Sequence, residues 1–383
     1  MSTTWPLIAT VAAANRVPEV EVIIAVHTPH RPIAAAISSV VRDNMRTADV
    51  EAAGQVQLRV VCHNVAVDTI AKAVPADLRA SVHWMEHPDA IASASGPFNA
   101  GMRASDAEFV SIMGSDDTLQ PGAIASWLSL ARATGAECVQ TRLATGRSAR
   151  PVPTPPVRPI PHRRPTHADP VRDRLSYRSA PLGLVSAEAR ERLGAQLAPG
   201  MPVGGDVPYV TRLWCETAVA VDTRGPAYVI GEEAPDRVTF QSRPIVEELL
   251  FIRHLLAADW FIAYPEQLRE AVATKLLRIH VFGAISNRPD PCWWSVPQRS
   301  ALAAITADVL AVGAGVADPL SRADHAVIDA VLDPSACAQR MIDRAIARRR
   351  HGRPATLAPR HLSQLLHREA PPRFMAASWW AGR

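Results

Sequence analysis

Lysine is nearly missing from this chain of 383 residues: of 41 Lys and Arg, two are lysine, Lys72 and Lys275. Together with abundant Ala and Pro, this fits the codon bias of a GC-rich genome. The arginine count alone therefore does not argue for nucleic acid, although arginine suits phosphate groups. Nor is there aromatic–basic interleaving or a known nucleic-acid module, so no nucleic-acid partner is expected. Runs of 18 or more apolar residues are absent. The longest candidate, 301–317, is broken by Asp308, which argues against a membrane span. The first 14 residues place no basic residue ahead of their short apolar run, so no secretory signal is expected. The five cysteines, Cys62, Cys138, Cys215, Cys292 and Cys337, form no CxxC pair, which argues against a zinc module. Their odd number, without a secretory signal, points to reduced thiols in the cytoplasm. No internal repeat is visible.

What is present reads as a folded protein. The chain is 48% hydrophobic and 20% charged, with a net charge of +4. That composition belongs to a globular chain, and the length suits one large α/β domain or two compact units. Short apolar, β-branched runs at 21–26, 58–62, 81–85, 109–113 and 138–141 read as strands. Between them, 33–42, 68–73, 99–105 and 121–133 read as helices, the last with Pro121 in its first turn. This alternation predicts parallel βαβ units with right-handed crossovers. Ligands of such sheets lie beyond the C-terminal strand ends, so the loops at 27–32, 62–65 and 114–118 should meet there. Residues 142–170, crowded with Pro and Arg, read as a long irregular loop, expected to be a mobile flap over the acceptor side. Segments 177–185 and 218–229 return to strand. From 243 onward helical patterns dominate, at 245–258, 266–282, 297–312, 323–332 and 334–350.

Two places carry chemistry. Asp116-Asp117 follows an apolar strand directly, and two carboxylates at a buried strand end are costly unless compensated. A hard cation such as Mg²⁺ or Mn²⁺ compensates them while also taking phosphate oxygens. The plainer reading is an aspartate that caps the next helix. Gly204-Gly205-Asp206 opens a helix over 207–214, where Asp206 also suits an N-cap.

The stretch Gly96-Pro97-Phe98-Asn99-Ala100-Gly101, then Glu108-Phe109-Val110 and Gly114-Ser115-Asp116-Asp117-Thr118-Leu119-Gln120-Pro121-Gly122-Ala123, resembles the inverting glycosyltransferases of family 2. So does Ile37-Ser38-Ser39-Val40 near the start, and Gly204-Gly205-Asp206 with Arg212 resembles the family's G-E-D signature. The resemblance covers residues 19–240 and is specific as a set. It implies an α/β GT-A fold, with a mainly parallel Rossmann-like sheet and a helical C-terminal extension. Residues 1–18 would be an N-terminal extension and 19–240 the transferase domain. Within it, 19–141 would form the nucleotide-binding half, 142–170 the Pro/Arg-rich loop and 171–240 the acceptor half. Residues 241–383 would be the helical region.

The implied activity is transfer of a sugar, with inversion, from a nucleoside-diphosphate sugar to a saccharide or lipid-linked acceptor in cell-surface polysaccharide or glycoconjugate synthesis. The implied donor contacts are Ala25, Val26, His27, His63, Asn64, Asn99, Ser115 and Asp116. One Mg²⁺ or Mn²⁺ would be held by Asp116 and Asp117, and Asp206 would be the base. Several positions depart from the pattern. Gly114 replaces the first aspartate of D-x-D, Cys62-His63-Asn64 an acidic pair, Phe98 an arginine, Gly205 a glutamate and Ala234 a histidine whose phosphate contact would fall to Arg237. Gly114, Cys62 and Gly205 keep open a non-catalytic GT-A-like nucleotide-binding or interaction protein.

Other residues carry less. His27, His30, His63 and His83 are not at zinc-ligand spacing, and Ser38 and Ser39 read as structural. Arg163, Arg164, Arg172 and Arg174 flank the acceptor side, either as phosphate ligands or as solvated charge. The helix at 334–350 sets Ala338, Ile342 and Ile346 in one stripe amid Arg340, Arg344, Arg348 and Arg349. With Trp379, Trp380 and Arg383 it reads either as a peripheral patch for the inner face of the plasma membrane or as packing on the catalytic domain.

Overall fold

The computed structural model describes residues 17–45, 56–152, 167–232 and 242–381. Its centre is a seven-stranded sheet in the order β10-β6-β9-β4-β1-β2-β3. These strands are β1 (Val20–Val26), β2 (Val56–His63), β3 (His83–His87), β4 (Phe109–Gly114), β6 (Cys138–Gln140), β9 (Gly183–Ser186) and β10 (Val219–Val221). β1, β2, β3 and β4 run parallel, as do β6 and β10. β9 alone opposes its neighbours β4 and β6. The central strands β1 and β4 are buried along nearly their whole length because helices cover both faces, whereas the edge strand β3 is polar and partly exposed.

On one face lie α1 (Ile33–Val40), α2 (Val67–Ala71), α3 (Ala76–Arg79) and α5 (Ala123–Thr134), whose Ile37, Ile70, Leu78 and Trp127 join the β1 and β2 side chains in one core. On the other lie α4 (Ser95–Arg103), α6 (Ala187–Leu193) and α7 (Asp206–Glu216), packing through Met102, Leu193, Tyr209, Leu213 and Trp214.

A second sheet has the order β5-β11-β7-β8, from β5 (Thr118–Leu119), β7 (Leu143–Thr145), β8 (Arg150–Pro151) and β11 (Tyr228–Ile230). The segment 142–170 is thus not wholly a loop. It begins with two strands, β8 being a short edge where proline is tolerated. Residues 153–166, which include Arg163 and Arg164, lie outside the described residues. So do residues 1–16 and 233–241, with Ala234 and Arg237, and Arg383 at the end. The stretch 218–229 supplies one strand to each sheet instead of one long strand.

The C-terminal region is helical: α8 (Ile245–Glu248), α9 (Leu250–Leu256), α10 (Asp259–Ile262), α11 (Glu266–Lys275), α12 (Phe282–Ser286), α13 (Val296–Leu310), α14 (Arg322–Leu332), α15 (Ala338–Arg348), α16 (Pro354–Leu357) and α17 (Pro371–Ala381). The helix read over 266–282 holds a wide π-turn, Leu276–Val281, between α11 and α12. Helices α8 to α15 share a third core, which Val207 of α7 enters. The whole region is tied down further by Glu369, which is 1% exposed. It pairs with Arg174 at 3.2 Å, Arg278 at 2.6 Å and Arg368 at 2.9 Å. It also accepts from the Tyr177 hydroxyl at 2.8 Å. Arg174 is therefore an internal tie and not an acceptor-side phosphate ligand, whereas Arg172 is exposed. On α15 the buried residues are Met341, Ile342 and Ala345; of the stripe read from the sequence, Ile342 is buried, Ala338 half-buried and Ile346 exposed.

Candidate active site

Strand register brings the sequence candidates to one edge. Ala25 pairs with Gly114, Val26 with Cys62, and His63 with His87. The loops leaving β4, β1, β2 and β3 therefore line the C-terminal edge of the sheet in that order, where α/β folds bind ligands.

After β4, Ser115 is buried and the two aspartates diverge. Asp117 accepts from the Tyr228 hydroxyl at 2.5 Å and from the Gly231 backbone N–H at 2.8 Å. The Gly114 N–H in turn donates to the Tyr228 oxygen at 3.1 Å. Burial pushes the Asp117 carboxyl up despite these bonds. Both Asp117 oxygens are thus committed to holding the loop against β11. Gly231 must be glycine for the same packing, since a Cβ there would lie 1.9 Å from the Asp116 carbonyl oxygen. Asp116 points elsewhere, to Arg31 of the loop after β1, at 3.0 Å. The sequence reading passed over Arg31. His27 and His30, in the same loop, are exposed.

After β2 and β3 lies a cluster around one carboxylate, Asp89. His63 Nε2 lies 2.7 Å from an Asp89 oxygen, and His87 Nε2 lies 3.2 Å from the other. Asn64, at φ 56°, accepts from the Asp89 and Ala90 N–H groups at 3.0 and 2.9 Å. Asn tolerates this left-handed conformation better than most residues. Burial disfavours the Asp89 charge, but the Ile91 N–H, His63 and Asn64 outweigh it and hold the carboxyl at about 2. Asp89 was missed in the sequence because it follows β3 instead of β2, although His87-Pro88-Asp89 marks a strand end. Cys62 is buried and its thiol is pushed up to about 12, which makes it unreactive.

Asn99, read as a donor contact, has both ends of its amide engaged. It donates to the Leu197 carbonyl at 2.8 Å and accepts from the Leu197 N–H at 3.0 Å. It anchors the loop leading to Asp206. That loop closes tightly on the start of α4, since a Cβ on Gly205 would lie 2.5 Å from the Ser95 hydroxyl. Asp206, half-buried, is the first residue of α7, and Gly205 stands at the N-cap position expected for Asp206. α7 thus starts beside the start of α4, on the edge where the parallel strands end. Burial pushes the Asp206 carboxyl up to about 6, against the pull of Lys275 and of the Asp206 and Val207 backbone N–H groups.

No family model matches this sequence, and no curated protein matches it. Solved structures do. S. aureus TarS 1–349 in complex with UDP-GlcNAc aligns over 88% of this chain and 93% of its own, with TM-score 0.65 and 11% identity. The same fragment with UDP gives 0.59 and 12% over the same shares. A longer TarS chain gives 0.60 and 11%, covering 85% of this chain and 55% of its own.

This chain has the GT-A fold. At such identity the likeness is one of fold, and the helical C-terminal region shares in it, because the alignment covers most of both chains.

A GT-A fold implies a divalent cation. Among the described residues no group of three or more His, Cys, Asp or Glu could hold one. Mg²⁺ asks less of a protein, since it usually keeps waters and takes one or two carboxylates with substrate phosphates. Asp116 fits that part, with Asp117 engaged behind it and Arg31 sharing the place. The residues therefore suit a cation bound jointly with a phosphorylated ligand.

Proposed function

We propose that this chain is an inverting glycosyltransferase that moves a sugar from a nucleoside-diphosphate sugar to an acceptor hydroxyl. One observation carries this reading: a single edge of a GT-A sheet bears Asp116 with Arg31 and, at the start of α7, an Asp206 whose carboxyl burial has raised to about 6. The first pair suits a diphosphate and the second suits a base. The donor lies across the strand ends, with its base near His63, Asn64 and Asp89 and its phosphates near Ser115 and Asp116, where the Ala25–His27 strand end also opens. Mg²⁺ or Mn²⁺, when bound beside Asp116, would neutralise diphosphate charge. Arg31 adds a permanent positive charge there.

Asp206 takes the proton of the acceptor hydroxyl as its oxygen bonds to the anomeric carbon and the bond to the diphosphate breaks on the opposite face. Above about pH 6 the carboxylate is ready to accept that proton.

We further propose that the acceptor is a cell-surface saccharide or lipid-linked glycan reached from the cytoplasm. Among the described residues no helix is long and apolar enough to cross a membrane. Contact with a bilayer would be peripheral, through Leu362, Leu366 and Trp379, which are 65%, 81% and 53% exposed.

The test is calorimetric titration with UDP-, GDP- and dTDP-sugars, UDP-GlcNAc first, with Mn²⁺ and again after EDTA. One donor is expected to bind, more weakly without metal and more weakly in Asp116→Ala. Failure of every donor to bind would remove the reading. Undiminished binding after EDTA would remove the metal alone.

A further inference from the structure

The sequence spends its two lysines very differently. Lys72 is exposed, whereas Lys275 is 1% exposed at the end of α11, in a chain that otherwise meets its need for positive charge with arginine. Arginine keeps its proton in proteins, whereas a buried lysine can release it near neutrality. Lysine at this one buried place therefore brings a property that the chain's usual cation lacks.

The surroundings are specific. Lys275 Nζ donates at 2.9 Å to Nε2 of His280, which lies within the wide π-turn that Lys275 immediately precedes. Such turns are rare and occur often at functional sites. His280 lies edge-on to Phe251, with ring centroids 4.8 Å apart. Phe251 in turn fills the space where a Cβ of Gly204 would sit, at 2.3 Å. Gly204 is two residues before Asp206, so the lysine, the histidine, the phenyl ring and the Gly204–Asp206 turn form one packed unit. Val207 enters the same core.

Lys275 and Asp206 attract one another within this unit, and the Lys275 ammonium bears on His280. Burial drives Lys275 down to about 7, against the pull of Asp206. Burial, with the ammonium beside it, drives His280 far below its ordinary value, leaving a neutral ring that accepts from the lysine.

We propose that Lys275 is a positioning residue for Asp206: its ammonium, held by His280, keeps the Asp206 carboxylate ionised and in place at the start of α7. The inference rests on Asp206 being the base. It gives the helical region a part in the chemistry, because the charge that readies the base comes from α11, outside the sheet domain.

The test uses the full chain labelled with ¹³C at lysine Cε, which gives two side-chain resonances, assigned with Lys72→Arg. No substrate is needed. The Lys275 resonance is expected to titrate near 7. Loss of the opposite charge in Asp206→Asn is expected to move that midpoint down by roughly one unit. A midpoint that Asp206→Asn leaves in place overturns the coupling, whatever the enzyme does.

Activity gives the second readout, as UDP or GDP release from the donor identified by calorimetry. Lys275→Met, similar in length and uncharged, is expected to raise the acid limb of the kcat profile by roughly one unit, with donor affinity kept. Loss of rate without a shifted limb would reduce Lys275 to a structural role. A fully active Asp206→Asn enzyme would instead remove the base itself, an outcome separate from the lysine titration.

Discussion

At the scale of single residues, three aspartates that look alike in the sequence have three different surroundings. Asp117 is tied to Tyr228 and Gly231, Asp116 faces Arg31, and Asp206, half-buried at the start of α7, feels the pull of Lys275. Asp206→Asn keeps the shape of the helix start but cannot accept a proton. It should lower kcat by roughly 10²–10⁴-fold while donor affinity from calorimetry stays nearly unchanged. In the wild type, kcat should rise with pH through about 6, because the acid form of Asp206 cannot act as base. Tyr228→Phe should act through the fold instead. It leaves a buried Asp117 oxygen without its hydroxyl donor, at a cost of about 1–3 kcal/mol in urea denaturation. Both aspartates of the Asp116-Asp117 pair were visible as a motif. Which one is committed to the fold was not, since Tyr228 lies 111 positions away.

At the scale of elements, α7 is the decisive one. Its Tyr209, Val210, Leu213 and Trp214 pack on the sheet, whereas Val207 enters the core of the C-terminal helices. The helix is thus wedged between two cores, and its first residue is held from both. Gly204, at φ +73°, makes the turn into it and lies against Phe251. Gly204→Ala is strained twice, by its backbone angle and by the phenyl ring. It should displace Asp206 and lower kcat more than donor binding, which a crystal structure or a kcat–KM comparison would show. Boundaries of α7 were readable from its glycine pair and apolar spacing. The interruption of 266–282 by a π-turn was not, because Leu276, Leu277, Ile279 and Val281 suit either helix type.

At the scale of the whole molecule, Glu369 fastens the C-terminal end to the rest. Burial opposes its charge, but Arg278, Arg368 and Arg174 hold its carboxyl below the usual range. A carboxyl lowered on folding stabilises at neutral pH, and that contribution is lost as pH falls through its folded value. Thermal melts should therefore show steep acid destabilisation, and Glu369→Gln should flatten it. That variant also leaves buried arginines uncompensated, which should cost roughly 3–5 kcal/mol in urea unfolding at neutral pH. Equal stability of the variant and wild type at pH 7 would show that the tie is not needed.

The sequence by itself determined the parallel strands β1 to β4, the helical C-terminal region and the two carboxylate positions at Asp116 and Asp206. Hydrophobic period, β-branched runs and glycine turns act over a few residues, so they can be read locally. Tertiary structure decided how these carboxylates differ. It brought Arg31 to Asp116, Tyr228 and Gly231 to Asp117, Asp89 to His63, and Lys275 with His280 to the unit that holds Asp206. It also turned Asn99 and Arg174 from candidate ligands into internal ties. Each of these is a long-range contact, and desolvation, which raises Asp206 and lowers Lys275, depends on what the rest of the chain packs around a group and not on its neighbours in sequence.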